Sequence, residues 1–311
     1  MNRRSLKPFL LTCGAIALFS SAACAGRSDV QDGPSMPRHW SPPSISGPGY
    51  EASPAFTPDG REMYFIGADP DFRNYRLMLS RCEGDGWSKP EPAPFAVPLP
   101  VIEADPFITA DGRRLYYISS RHSPKDEDFD IWYVDRTGDG TWGSPQRLPE
   151  PVNSKGAELL PRVDANGHLI FGSDRPGGLG LGDIYVATQQ PDGRWTVRNV
   201  GAPVNTASHE YEAELSRSGK TLIVVADREG KSHLYRYVLR DGGWQAAGRV
   251  PARDDTFQVG PLLSPTGDRL IFAQKEEGRS GEMYLTDLTA KPDMSWPPEC
   301  PRRGESAGSR K

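Results

Sequence analysis

Four glutamates stand at one recurring place in this chain: Glu51, Glu103, Glu158 and Glu210 each precede a turn glycine by nine residues, with Gln258 at a fifth such place. Carboxylates gathered at one mouth of a channel would serve as general acid and base, or attract a cation such as Ca²⁺. Arg121, Arg175 and Arg228 follow the turn glycine by eight or nine residues in the second, third and fourth instances, and a crown of guanidinium groups would hold an anion. Glu210 has the unusual neighbours His209, Tyr211 and Glu212, which makes it the candidate catalytic carboxylate and His209 the candidate channel histidine. Other chemistries lack their parts. There is no G-x-S-x-G elbow, no cysteine close to a histidine, and no metal-ligand spacing among the histidines. The run GGLGLG (Gly177 to Gly182) leads into the strand-like DIYVA rather than a helix, so it is no phosphate loop. KDEDFD (Lys125 to Asp130) lacks the glycine and the terminal glutamate of a calcium loop.

The elements that position these residues form a repeat. Turn glycines at Gly60, Gly112, Gly167, Gly219 and Gly267 are spaced by 52, 55, 52 and 48 residues, and six positions before them stand Pro54, Pro106, Pro161, Ala213 and Pro261. Each turn is followed by a continuous apolar run (MYFI, LYYI, LIF, LIVVA, LIFA), then a shorter strand, then a tryptophan: Trp87, Trp142, Trp195, Trp244 and Trp296. A run without polar alternation belongs to a strand covered on both faces. About four strands in some fifty residues, repeated, specify an all-β fold, a β-propeller of five four-stranded blades. Trp40 opens a tryptophan strand whose partners are missing, and it is expected to complete the last blade and remove an exposed edge.

The implied boundaries are a signal peptide over 1–25, a linker over 26–39, the propeller over 40–300 (repeats about 46–97, 98–152, 153–204, 205–253 and 254–300), and a disordered tail over 301–311. In a closed ring the first and last repeats are neighbours. Cys82, ending the third strand of repeat one, is therefore expected to pair with Cys300, after the last tryptophan. A residue recurring in every repeat is most simply structural, since catalysis needs the symmetry broken. The glutamates are then expected to start the innermost strands by accepting hydrogen bonds, and the arginines, with Asp130 and Asp183 opening third strands, to stitch strands together.

Residues 1–25 order a basic start, a short apolar run and small residues, as a secretory signal does. Cleavage after Ala25 fits Ala23 and Ala25, and cleavage before Cys24 would leave a cysteine for lipid attachment. Removing the signal takes the formal net charge from −4 to −7, which does not suit a nucleic-acid binder. The mature chain has no second long apolar stretch and is expected to be a monomer in the periplasm or cell envelope.

The repeats EADPFITADGRRLYYISSR…DFDIWYV and AELLPRVDANGHLIFGSDRPGGLGLGDIYVA resemble the WD40-like β-propeller repeats of TolB-like periplasmic proteins, with their E-x-x-P, Asp-Gly turn, S-R and D-I-Y elements. The resemblance covers about 250 residues and implies the fold more than the function. No counterpart of the α/β domain that precedes the propeller in TolB is expected in these residues. The expectation is a non-catalytic binding or scaffolding module for an envelope protein or polymer, with no cofactor. The alternatives are a carbohydrate-active enzyme, hydrolase or lyase, with carboxylates at the channel mouth, and a purely structural part of an envelope complex.

Overall fold

The computed structural model describes residues 36–300 apart from 85 and 125–127. The signal segment, Cys24, most of the linker, part of KDEDFD and the tail lie outside the described residues. Among the described residues no helix is long and apolar enough to cross a membrane. The strands begin with β1 (Arg38–His39). Repeat one supplies β2 (Tyr50–Phe56), β3 (Glu62–Ala68) and β4 (Arg76–Glu83), with β5 (Gly86–Trp87) and β6 (Glu91–Pro92) both pairing with β4. Repeat two is the antiparallel sheet of β7 (Glu103–Ile108), β8 (Arg114–Ser119), β9 (Asp130–Asp135) and β10 (Gln146–Arg147). Repeat three holds β11 (Glu158–Val163), β12 (Leu169–Ser173), β13 (Asp183–Gln189) and β14 (Trp195–Asn199). Repeat four holds β15 (His209–Leu215), β16 (Thr221–Asp227), β17 (Ser232–Arg240) and β18 (Gly243–Arg249). Repeat five holds β19 (Gln258–Leu263), β20 (Arg269–Glu276) and β21 (Arg279–Asp287).

The apolar runs explain how the sheets stack. Successive strand residues point to opposite faces, so β16 sends Leu222 and Val224 into the core shared with repeat three, and Ile223 and Val225 into the core shared with repeat five. Equivalent cores join repeats one and two through Tyr64, Leu77, Leu115 and Tyr117, and repeats five and one through Ile271, Met283, Met63 and Phe65. Each fully buried Leu, Ile or Val adds about 1.5–3 kcal/mol relative to exposure, which is why neither face carries polar alternation. The turns are built alike. In repeat one the Asp59 carboxylate accepts the Thr57 hydroxyl (2.6 Å) and the Arg61 amide (3.1 Å). Gly60 then takes φ +68°, a left-handed conformation that suits glycine.

The innermost strands touch in the order β2, β7, β11, β15, β19, and β19 returns to β2. On the outer side β1 pairs antiparallel with β21, Arg38 opposite Leu285 and His39 opposite Tyr284. The pairing thus begins two residues before the boundary suggested at Trp40, whose own amide donates to the Met283 carbonyl at 2.9 Å. Cys82 and Cys300 form a disulfide with Cα atoms 5.3 Å apart, tying repeat one to the segment after the last tryptophan across 218 residues of sequence. A crosslink of that span contributes about 3–5 kcal/mol in the chain-entropy account. Cys82→Ser is expected to lower Tm by on the order of 10 °C. Thermal melting of the variant beside the oxidised parent checks this, and an unchanged Tm would show that the ring closes without the bond.

Candidate binding site at the ring axis

The E-x-x-P element makes a kink at the centre of the ring. A proline has no amide to give to a ladder and is confined to edges and bulges inside sheets. Pairing skips the X-Pro pair in four inner strands, between Ala52 and Ala55, Ala104 and Phe107, Leu159 and Arg162, and Val259 and Leu262. The residue before each proline takes positive φ within the bulge: Ser53 (48°), Asp105 (55°), Leu160 (45°) and Gly260 (61°). In repeat four Ala213 replaces the proline, and only Tyr211 is skipped, between Glu210 and Glu212.

These bulges meet one another at the axis. Asp105 Oδ1 accepts the Ser53 hydroxyl at 3.1 Å, its Oδ2 accepts the Leu160 amide at 3.1 Å, and Glu212 Oε2 accepts the Gly260 amide at 2.7 Å. A Cβ on Gly260 would lie 2.6 Å from Ser53 Oγ and 2.9 Å from its backbone nitrogen, so only glycine lets β19 approach β2 this closely. Two residues further along β11 and β15, Arg162 and Glu214 form a buried ion pair through Arg162 Nε. The same guanidinium donates to the carbonyls of Pro161 (3.0 Å) and Pro261 (3.2 Å), and Glu214 accepts the Leu263 amide at 3.3 Å.

A cavity of about 480 Å³ opens against this centre, with Asp105 and Glu212 in its lining beside the rings of Tyr50, Phe72, Tyr75, Phe129, Tyr211 and Phe257. The rings brace one another edge to face, Tyr50 with Phe72 at 5.1 Å, Tyr50 with Tyr75 at 6.1 Å, and Phe72 with Phe257 at 5.3 Å. Burial pushes the Glu212 carboxyl up to about 8, and the charge of Asp105 adds to the rise against the opposing pull of the Gly260 amide and Arg162. Burial likewise raises Asp105, against Arg162, the Leu160 amide and the Ser53 hydroxyl. Burial and a like charge thus favour the protonated form of Glu212 at neutral pH.

No protein-family model and no curated protein matches the sequence. Solved structures do match in architecture. TolB from Acinetobacter baumannii aligns with TM-score 0.50 at 17% identity over 79% of this chain and 56% of that one. Zg3597, a family 117 glycoside hydrolase produced by the marine bacterium Zobellia galactanivorans, aligns with TM-score 0.52 at 12% identity over 85% of this chain and 92% of that one. The fold is that of a TolB-like β-propeller. The chain spans only about half the length of that TolB, and at these identities the likeness concerns fold alone.

In this propeller the recurring glutamates are held within their own repeats. Glu103 Oε1 accepts from Arg121 Nε (2.9 Å) and the Ser119 hydroxyl (3.2 Å), while Arg121 also donates to the Phe95 carbonyl (2.7 Å). Glu158 is held by Arg175 (3.0 Å), Ser173 (3.0 Å) and Ser154 (2.6 Å), and Glu210 by Arg228 (3.0 Å) and Thr206 (2.7 Å). The arginines are therefore spent on glutamates and carbonyls rather than arrayed as an anion crown, and the glutamates do not form a calcium ring. Glu210, fully buried and saturated by these donors, is not placed for acid–base chemistry. His209 lies against Tyr211, ring centroids 4.9 Å apart, and outside the cavity lining. Asp130 forms a bidentate pair with Arg147 instead of joining the arginine of its own turn. Among the described residues the group with ligand atoms close enough for a metal is His39, Glu276 and Glu282, where Glu282 already holds Ser46 and Arg279.

The cavity acids escape a search for recurring residues because they do not recur. Two positions after the repeat glutamate the residues are Ser53, Asp105, Leu160, Glu212 and Gly260, and four positions after it they are Ala55, Phe107, Arg162, Glu214 and Leu262. The departure from the repeat was the available signal: an arginine and a glutamate at a place that is otherwise apolar.

Glu51 is the repeat glutamate without an arginine of its own repeat; Asp69 stands where the others have one. Its Oε2 is buried with no hydrogen-bond partner. Burial, reinforced by the charge of Glu282 and opposed by the Gly47 amide and Arg279, raises its carboxyl to about 7. A folded-state value above the unfolded one means that this group's contribution to stability is full below about 4.5 and is lost as pH rises through about 7. Glu51→Gln, which cannot ionise, is expected to be more stable than the parent by about 1–3 kcal/mol at pH 8, after allowance for solvent screening. The gap should close toward pH 5 in denaturant titrations, and an equal gap at both pH values would contradict the assignment.

Proposed function

We propose that this chain is an exported five-bladed propeller that serves as a non-catalytic binding or scaffolding module for a protein or polymer of the cell envelope, and that the ligand enters the cavity at the ring axis. One observation carries the reading: residues from several repeats build an aromatic-rimmed cavity of about 480 Å³ with Asp105 and Glu212 in its lining. That volume lies within the usual range for ligand sites, and apolar walls around a few convergent polar groups are their usual make-up. Aromatic rings also dominate binding hot spots, and Phe72 is 37% exposed at the rim. The signal-like start of the chain supports export. Glu103, Glu158, Glu210, Arg121, Arg175 and Arg228 act in this reading as clips that hold the blades, and the closing strand and the Cys82–Cys300 bond keep the rim rigid.

A second reading follows from the acids themselves. Asp105 and Glu212, both raised by burial beside the cavity, are the pair that a carbohydrate-active enzyme would use as acid and base, in place of Glu210. A propeller glycoside hydrolase such as Zg3597 gives an architectural precedent only.

Crosslinking the tagged mature protein in its own cell envelope is the test. A reproducible partner whose capture falls at least tenfold in Phe72→Ala, with Tm unchanged, is the expected result. Capture indifferent to Phe72 would remove the cavity from the binding role. Turnover of an envelope glycan that is lost in Glu212→Gln would replace the binding reading by the enzymatic one.

A further inference from the structure

Around the axis three acids, Asp105, Glu212 and Glu214, face one base. Arg162 is committed to Glu214 and two carbonyls, and among the described residues it is the basic side chain whose charge favours the ionised form of both Asp105 and Glu212, against their burial. Asp105 has a donor on each oxygen. Glu212 accepts the Gly260 amide on Oε2, is 9% exposed and lines the cavity. A nearly buried carboxyl bordering an aromatic-walled cavity is half of a recognition pair. Its complement must donate hydrogen bonds, carry positive charge and tolerate ring faces.

We propose that the cavity takes an organic cation, an ammonium or guanidinium group on an apolar stem, with the charge seated at Asp105 and Glu212 and the stem against Tyr50, Tyr211 and Phe257. The electron-rich faces of aromatic rings attract such cations, most strongly where water is excluded. An anion would oppose the ionisation of both acids, and a neutral sugar hydroxyl would gain nothing from it. A divalent metal ion would find two carboxylates and rings where it needs six or more oxygens. This inference rests on the binding reading above and specifies what that cavity recognises.

Seating a cation here favours the ionised form of Glu212 and displaces its proton. The groups facing Glu212 are Asp105 on β7, Arg162 on β11, Tyr50 on β2, and Tyr211 and Glu214 on its own β15, while β19 offers only the Gly260 amide. None of the others is a base able to take that proton, so it leaves to solvent. Affinity therefore rises with pH from about 6 to about 8, up to the range where an amine ligand loses its own charge, near 10.

The experiment is calorimetric titration of the mature protein with Nα-acetyl-lysine methylamide, its neutral Nε-acetylated counterpart and n-butylamine. The lysine probe is expected to bind at least tenfold more tightly than the neutral one, with release of a proton read from the dependence of enthalpy on the buffer. Glu212→Gln and Asp105→Asn are each expected to abolish the preference, and Glu212→Gln also the proton release. Should Asp105→Asn fail to fold, Glu212→Gln decides, since it removes a buried charge without changing shape. Butylamine binding as well as the lysine probe would assign the site to free amines, and preference for the lysine probe would assign it to a peptide side chain. The proposal is overturned if none of the probes binds, if the neutral probe binds equally, or if the preference survives Glu212→Gln. Failure of the amine probes with Phe72-dependent partner capture intact would sink only this inference, whereas loss of the Phe72 dependence would sink the binding reading beneath it.

Discussion

Arg162 and Glu214 meet at the ring axis with their charged ends out of water, and the form of the whole centre follows from that contact. Removing two charges from solvent costs several kcal/mol per ion, and their attraction repays it only when the remaining donors and acceptors are satisfied. Here the carbonyls of Pro161 and Pro261 and the amide of Leu263 satisfy them. These backbone groups are available because the E-x-x-P bulges take the inner strands out of ladder pairing at this level. The pair lies two residues along β11 and β15 from the bulges whose Asp105 and Glu212 line the cavity.

Away from the axis a second device recurs. In repeats two, three and four a buried glutamate at the start of the inner strand takes an arginine from beyond the second strand, and the arginine also caps a carbonyl of the preceding loop. Three segments distant in sequence are fastened by one side chain. The device lapses where the ring closes. In repeat five Gln258 takes its place and bonds His233 at 2.6 Å, and in repeat one Glu51 is left with the Gly47 amide and a like charge nearby. Closure there depends instead on β1, on the Cys82–Cys300 bond and on Ser46 and Arg279 gathered around Glu282.

The division of labour between recurring and non-recurring residues is the functional lesson. Residues common to the repeats hold the blades at a fixed spacing, and their charges are neutralised locally. Residues that differ between repeats, Asp105, Glu212 and the aromatic rim, line the cavity and are not used up in holding the blades. The second set gives the molecule something to recognise.

The spacing of the turn glycines, the unbroken apolar runs and the two mature-chain cysteines outside the signal determined the sheet architecture and the pairing of Cys82 with Cys300, because these depend on local periodicity and on the order of elements in a closed ring. The saturation of Glu103, Glu158 and Glu210 was legible in part: their recurrence argued for structure, yet the partner of each arginine was not readable from spacing. The cavity was decided by the tertiary structure alone. Its acids come from bulges 107 residues apart in the chain, one followed by Pro106 and the other by Ala213, and they come near each other only because the inner strands meet, with Gly260 allowing β19 to close against Ser53. Those are contacts between repeats, and no window of sequence contains them.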